Sequence, residues 1–180
     1  SVSVAGQAVA QTYDADGLLA STGSLIITRH AQHGLPIGTT LNGITTTATY
    51  NSFGELATFA ASTPLGTIYD LQLSYDKLGR VSGKVETIAG VSTQRGYDYD
   101  VAGRLAAVTT GTTQVASFGY DSNGNRTQID GAVVATVDAQ DRLLTHGGAS
   151  FAYSAAGQLV SRAQGAQVTT YGYDIYGNLL

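Results

Sequence analysis

Two histidines in this sequence have a spacing that could support metal chemistry. His30 and His33 lie three residues apart, which suits two ligands on a helix or in a tight turn. The chain has no cysteine, and its third histidine, His146, is remote in sequence. The competing interpretation is that His30 and His33 belong to a degenerate turn. Since a structural metal site needs about four ligands, we predict no metal here.

A second candidate is a calcium loop at residues 121–125, where Asp and Asn oxygens alternate, with a weaker match at residues 14–17. An EF-hand loop requires glycine at its sixth position and a bidentate acid at its twelfth, and Arg126 and Ala132 stand there instead. Capping of turns by Asp and Asn explains the same residues. We therefore predict neither a metal nor any other cofactor.

The 13 acidic residues could in principle supply a glycosidase-like pair of carboxylates. Six of them occupy one position of a recurring pattern, so they are expected to serve that pattern rather than a single site. These six are Asp14, Asp76, Asp100, Asp121, Asp138 and Asp174. Neither a nucleophile elbow nor a Cys/His arrangement is present. The sequence predicts no catalytic residue and no enzymatic activity.

The recurring pattern is Tyr-Asp-x-x-Gly-x-Leu, and it runs through the whole chain with a period of about 20 residues, which is typical of repeat architectures. A degenerate copy has Val137, Asp138 and Asp141 in these places, and a further copy is predicted to have His30 in the tyrosine position and Gly34 in the glycine position. The other motif residues are Tyr13, Asp14, Gly17, Tyr50, Asn51, Gly54, Tyr75, Asp76, Gly79, Tyr99, Asp100, Gly103, Tyr120, Asp121, Gly124, Tyr153, Ser154, Gly157, Tyr173, Asp174 and Gly177.

Short runs of alternating apolar and polar residues flank each copy, and this alternation is the period of a half-buried strand. The Asp or Asn side chain can accept a hydrogen bond from the amide two residues on, and glycine supplies the positive φ of a reversal. Plain glycine turns are expected at the opposite strand ends, at Gly90, Gly111, Gly131, Gly148 and Gly165. The prediction is an all-β fold: one antiparallel meander over residues 1–180, about nine tandem hairpin units, forming a curved sheet.

One sheet face is predicted to be aromatic. The residue two before the motif tyrosine is often large and apolar, as at Leu73, Tyr97, Phe118, Phe151 and Tyr171. We expect this face to form a core or a layer interface, with the motif tyrosines packed inward and their hydroxyls hydrogen-bonded.

Two tyrosines outside the motif, Tyr69 and Tyr176, are the candidates for exposed side chains that could stack on sugars or single strands.

Composition excludes several functions. Charged residues make up 12% of the chain and its formal charge is −4, without any Lys/Arg cluster, so we predict no nucleic-acid partner. The apolar runs are too short for a membrane span. The chain does not begin with Met, so it is expected to be part of a longer protein. Unpaired strands at its ends would favour edge-to-edge self-association.

These tandem motifs resemble the YD repeats of the Rhs family, which includes Rhs polymorphic toxins, wall-associated proteins, B and C components of insecticidal toxin complexes, and teneurins. The resemblance covers nearly the whole chain. It implies a sheet that spirals into a hollow β-shell, enclosing a C-terminal effector in the toxins and supporting cell-surface adhesion in teneurins. No Asp-Pro-x-Gly-type self-cleavage signature is present, so autoproteolysis and cargo identity do not carry over.

The resemblance implies a non-catalytic scaffold whose partners are further repeats of the same polypeptide and an encapsulated toxin or effector. It also implies a secreted or cell-surface location in a bacterium. The alternative is an adhesion or carbohydrate-binding module that recognises glycans or cell-surface proteins with its outer face. Binding of a glycan that depends on exposed tyrosines would distinguish the second function from the first.

Overall fold

The computed structural model describes residues 2–4 and 7–180. All regular elements in this part of the chain are β-strands. In chain order they are β1 (Val2–Val4), β2 (Gln7–Val9), β3 (Gln11–Tyr13), β4 (Leu19–Thr22), β5 (Leu25–Arg29), β6 (Pro36–Leu41), β7 (Ile44–Tyr50), β8 (Leu56–Thr63), β9 (Gly66–Tyr75), β10 (Val81–Ile88), β11 (Val91–Tyr99), β12 (Leu105–Thr110), β13 (Thr113–Tyr120), β14 (Arg126–Ile129), β15 (Ala132–Val133), β16 (Ala135–Val137), β17 (Leu143–His146), β18 (Ala149–Tyr153), β19 (Leu159–Gln164) and β20 (Gln167–Thr170).

The chain divides into two compact units. The first runs to Tyr97 and includes Thr110–Thr112, and the second comprises Asp98–Thr109 and Thr113–Leu180. In the first unit β1 pairs with β2, and each strand from β3 to β10 pairs antiparallel with the next, so that the series ends at β11. In the second unit the same sequential pairing joins β13 to β15 and β16 to β20. The predicted all-β antiparallel meander is confirmed, whereas the assignment of residues 1–180 to a single array stays a prediction.

Two kinds of turn alternate along the meander. At the motif turns the glycine has a positive φ, for example 76° at Gly17 and 94° at Gly124. The plain turns include pairs such as Ala89-Gly90 with both residues left-handed, which matches the twist of a two-residue hairpin. Three further plain turns, at Gly23, Gly43 and Gly66, were missed from the sequence. Asn42-Gly43 is a strong hairpin signal that lies in the long first interval between tyrosines.

Strand register separates two chemically different faces in the first unit. Ala48, Phe59, Leu71 and Glu86 are successive cross-strand partners on one face, and that face also carries the motif tyrosines, since residues two apart share a face. We call it the tyrosine face. The opposite face, the hydroxyl face, is rich in threonine and serine. Its members include Thr28, Thr40, Thr45, Thr47, Thr49, Thr58, Ser74, Thr87 and Ser92.

Of the two expectations for the aromatic face, a core or a layer interface, the core was wrong for the described residues. Only Ala107, Ala135 and Ala149 are buried there, and no large side chain is fully buried. The large apolar residues of the tyrosine face, such as Phe59 and Leu71, are half-buried. Within each unit the strands form sheets whose side chains are covered by their neighbours on the same face, which gives half-burial.

Among the described residues there is no helix with the length and apolarity needed to cross a membrane.

Candidate functional site

The motif aspartate organises its turn with a single oxygen. Asp100 Oδ1 accepts hydrogen bonds from the backbone N–H of Ala102 and of Arg104, both at 2.9 Å. The Asp100 N–H donates to the Arg104 carbonyl at 2.9 Å, and the Gly103 N–H donates to the Asp100 carbonyl. The same double acceptance, at 2.8–3.0 Å, recurs in the other turns with Asp or Asn in this position. Those residues are Asp14, Asn51, Asp76, Asp121, Asp138 and Asp174.

The residue after the motif glycine supplies a partner for the second oxygen, and the sequence analysis missed it. Arginine does so in three turns, with Nε donating to Asp Oδ2 at 2.7 Å. These pairs are Arg80–Asp76, Arg104–Asp100 and Arg142–Asp138. Asn125 and Asn178 donate in the same way to Asp121 and Asp174. The available signal was a donor directly after the motif glycine in four Asp turns, at Arg80, Arg104, Asn125 and Asn178, whereas Leu18 follows the glycine of the Asp14 turn.

One turn reverses the polarity of this pair. Asn51 replaces the aspartate, Glu55 replaces the arginine, and Asn51 Nδ2 donates to Glu55 Oε2 at 2.6 Å. The hydrogen bond is kept although donor and acceptor have exchanged positions. The two positions therefore act as a matched pair.

These hydrogen bonds lower the pKa values of the turn carboxyls. Backbone and guanidinium donation from Arg104 lowers the pKa of Asp100, and the side-chain amides of Asn125 and Asn178 lower the pKa of Asp121 and Asp174. At Asp76 and Asp138 partial desolvation raises the pKa, but the donors from Arg80 and Arg142 outweigh it, so the pKa is again lowered.

We expect acid to weaken the fold through these turns. A carboxyl whose pKa is lower in the folded chain than in the unfolded chain stabilises the fold above its unfolded pKa, and this contribution is lost as pH falls through the folded value. The urea midpoint should be constant from neutral pH to about pH 4 and then fall, because aspartate side chains of an unfolded chain titrate near pH 4. Circular dichroism in urea at a series of pH values measures this. Replacing Asp100, Asp121 and Asp174 by Asn should flatten the acid limb, and an unchanged limb would contradict the prediction.

In five repeats the motif tyrosine links its hairpin to the preceding one by a hydrogen bond. Tyr75 Oη donates to the Leu56 carbonyl at 2.8 Å, across to the strand that follows the previous motif turn. Four other tyrosines repeat this contact at 2.7–3.0 Å. They are Tyr50 to Pro36, Tyr120 to Leu105, Tyr153 to Leu143 and Tyr173 to Leu159. Tyr13 donates instead to Gln11 Oε1 and is 58% exposed. The prediction of bonded hydroxyls agrees with these contacts, although the rings are half-buried rather than buried.

Replacing Tyr75 by Phe should remove one such link without changing the ring. We expect a loss of about 1 kcal/mol in the free energy of unfolding, the usual net value of one hydrogen bond. Urea denaturation of the two chains measures it. Tyr13→Phe is the control, because the Tyr13 hydroxyl bonds only within its own strand. Equal effects of the two substitutions would show that the link between hairpins contributes nothing.

The assignment of His30 to the tyrosine position was wrong. Arg29 occupies it: its Nε and Nη2 donate to the Leu19 carbonyl at 3.2 and 3.1 Å, as a motif tyrosine would. His30 takes the aspartate position, where its Nδ1 accepts from the Gln32 N–H and its carbonyl accepts from the Gly34 N–H. This turn is one residue longer than the others, which displaced the alignment by one position.

Arginine also links neighbouring motif turns in the second unit. The Arg104 guanidinium lies 4.5 Å from the centre of the Tyr120 ring, and its Nη1 donates to the Asp121 carbonyl at 3.2 Å. Arg142 lies 5.1 Å from the centre of the Tyr153 ring. A cation over an aromatic face is attractive, so one side chain both completes its own turn and contacts the next hairpin.

The comparison with known families agrees with this repeated geometry. The family model described as teneurin YD-shell matches residues 3–180. The chain belongs to this family. As a YD-shell member it has a structural, scaffold-type role. Each motif turn just described belongs to one repeat of the chain.

Two solved structures support the YD-shell fold. The crystal structure of TcdB2-TccC3-TEV superposes with a TM-score of 0.54 at 16% identity, over 96% of this chain and 12% of that one. The crystal structure of TcdB2-TccC3-Cdc42 gives a TM-score of 0.52 at 15% identity, over 96% of this chain and 14% of that one. The chain thus spans only a small part of these structures. No curated protein sequence matches it.

The candidate calcium residues of the YD-shell chain are already occupied by protein donors. Asp121 Oδ1 accepts from the N–H groups of Asn123 and Asn125, and Asp121 Oδ2 accepts from Asn125 Nδ2. Asp141, with φ of 60° in the place of the motif glycine, accepts from both asparagine side chains. These oxygens serve the turns, as the capping interpretation proposed.

The two neighbouring histidines stack on each other rather than converge on a third ligand. Their rings lie 3.8 Å apart and nearly parallel, and His33 Nδ1 accepts from the Leu35 N–H. Within residues 2–4 and 7–180 no group of three or more His, Asp or Glu side chains is arranged to hold a metal ion.

The two tyrosines outside the motif differ. Tyr176 is 84% exposed at the tip of the last motif turn. Tyr69 is half-buried, its hydroxyl donates to Glu86 Oε1 at 2.9 Å, and burial with this carboxylate raises its pKa. Of the two, Tyr176 alone has the exposure that a stacking contact would need.

Proposed function

We propose that this chain is a stretch of wall in a bacterial YD-repeat shell that encloses a toxin or effector polypeptide until delivery. The observation that carries the proposal is the use made of the repeated residues. The motif carboxylates are held by donors of their own turns, and motif tyrosines such as Tyr75 donate to the preceding hairpin. Residues that make the same structural hydrogen bonds in successive repeats favour a structural role over a catalytic one.

The proposed mechanism is steric. Consecutive antiparallel strands leave no backbone donors or acceptors open between them, so a wall of this kind would exclude proteases from its contents. The motif residues Tyr75, Asp76 and Gly79, with their counterparts in the other repeats, would have structural roles. The assignment of one continuous array and of a secreted or cell-surface location belongs to the same proposal.

Protease protection in the full-length protein tests this function. A broad-specificity protease should leave the enclosed polypeptide intact in the native protein and digest it once urea opens the shell. Digestion of that polypeptide at its unfolded rate in the native protein would refute enclosure. Glycan binding that is lost in Tyr176→Ser, with an unchanged circular dichroism spectrum, would instead support the adhesion module.

A further inference from the structure

The hydroxyl face and the tyrosine face of the sheet differ in exposure and polarity. On β7, Thr45, Thr47 and Thr49 of the hydroxyl face are exposed, whereas Thr46 and Ala48 of the tyrosine face are half-buried. Many hydroxyls pair across strands: Thr49 Oγ1 lies 2.7 Å from Thr58 Oγ1, and Thr87 Oγ1 lies 2.6 Å from Ser92 Oγ. Such a surface is polar and compatible with bulk water.

The tyrosine face is aromatic and carries positive charge. In the first unit Leu73, Lys84 and Arg95 are cross-strand partners on this face. Lys84 Nζ pairs with Glu86 at 3.0 Å. The hydrogen bond from Lys84 and, to a smaller extent, the charge of the exposed Arg95 lower the pKa of Glu86. Two cations and one carboxylate leave this cluster with an excess of one positive charge.

The second unit also places positively charged side chains next to aromatic rings. The Arg126 guanidinium lies 5.3 Å from the centre of the Phe118 ring, and Arg162 is the cross-strand partner of Phe151. In the first unit, the hydroxyl face carries the carboxylate of Asp70, which is the cross-strand partner of Thr87. Charge as well as polarity therefore distinguishes the two faces.

We propose that the tyrosine face lines the interior of the shell and contacts the enclosed polypeptide through that polypeptide's apolar and acidic side chains. This inference rests on the proposed function. Half-exposed aromatic and aliphatic side chains are unfavourable against bulk water, and contact with an enclosed chain removes them from it. The exposed guanidinium of Arg95 is suited to carboxylates of that chain, while the hydroxyl face meets the solvent.

A pair of adjacent cysteine substitutions tests the orientation. Thr47→Cys places a thiol on the hydroxyl face and Ala48→Cys places one on the tyrosine face, in a stretch of 180 residues without native cysteine. In the native full-length protein, a bulky maleimide should label position 47 and fail to label position 48, with sites assigned by peptide mapping. Both positions should react equally in urea, which controls for intrinsic reactivity.

The outcomes separate the orientation from the function. Labelling of position 48 but not 47 would overturn the face assignment and keep the enclosing wall. Labelling of both native positions would refute the closed wall and with it the proposed function. Protection of both would also overturn the assignment, because it requires the hydroxyl face to meet solvent.

A second adjacent pair tests contact with the enclosed polypeptide. A photoreactive amino acid at Arg95, on the tyrosine face, should cross-link to the enclosed chain in the native full-length protein. The same group at Gln94, on the hydroxyl face, should not. Cross-links from position 94 alone, or from neither position while protease protection is intact, would overturn the proposed contact. Peptides cross-linked at position 95 should be enriched in acidic and apolar residues.

Discussion

Replacing Asn51 and Glu55 together by the Asp and Arg of the other turns should restore the stability that each single substitution removes. Asn51→Asp alone places a second carboxylate against Glu55, whose Oε2 lies 2.6 Å from Asn51 Nδ2 in the native chain. Glu55→Arg alone sets a guanidinium against that amide nitrogen, a donor against a donor. We expect each single variant to lose about 1 to 2 kcal/mol of unfolding free energy, because like groups oppose at hydrogen-bonding distance.

The double variant Asn51→Asp with Glu55→Arg recreates the arrangement of Asp100 and Arg104. Its stability should return to about that of the native chain, which corresponds to a coupling energy of about 2 to 4 kcal/mol. Urea denaturation of the four proteins completes the cycle. Glu55→Gln keeps an acceptor for Asn51 Nδ2 and should change little. Additive losses in the double variant would mean that the two positions are independent.

Replacing Gly54 by Val should be the most damaging change at a motif turn. Gly54 has a φ of 80°, and an added Cβ would meet no atom within 4 Å, so the cost comes from the backbone alone. A β-branched residue is strained in this left-handed conformation, and we expect a loss of about 1 to 3 kcal/mol in the free energy of unfolding. Thermal and urea denaturation measure it.

Two controls distinguish backbone strain from a general intolerance of side chains. Gly54→Asn should cost less, because asparagine tolerates this conformation better than valine. Gly83 has no positive φ, and its nearest contact would be Ser74 Oγ at 3.6 Å, so Gly83→Ala should be tolerated. A larger loss from Gly83→Ala than from Gly54→Val would contradict the argument.

The motif turns were predictable because they are local. Asp100 and Gly103 act on atoms within four residues, so their types and spacing determine the reversal before any other strand is placed. The pairing order of the strands follows, since a chain that reverses every ten residues or so forms a meander. This is why the fold class could be read from the sequence.

What could not be predicted depends on groups distant in sequence. Arg29 replaces a tyrosine because both side chains are long enough to donate to a main-chain carbonyl of the preceding hairpin, and residue types alone do not reveal this. The sparse core has a similar cause. Alternation predicts that Phe59 and Leu71 share a face, but not whether another layer covers that face.

The acceptor used by each tyrosine has an evolutionary consequence. Tyr75, Tyr120 and Tyr153 donate to main-chain oxygens, which every amino acid provides. This hydrogen bond therefore forms whatever side chain the acceptor residue of the neighbouring hairpin carries. As far as this contact is concerned, we expect such arrays to tolerate the gain or loss of whole repeats without compensating changes at the acceptor positions.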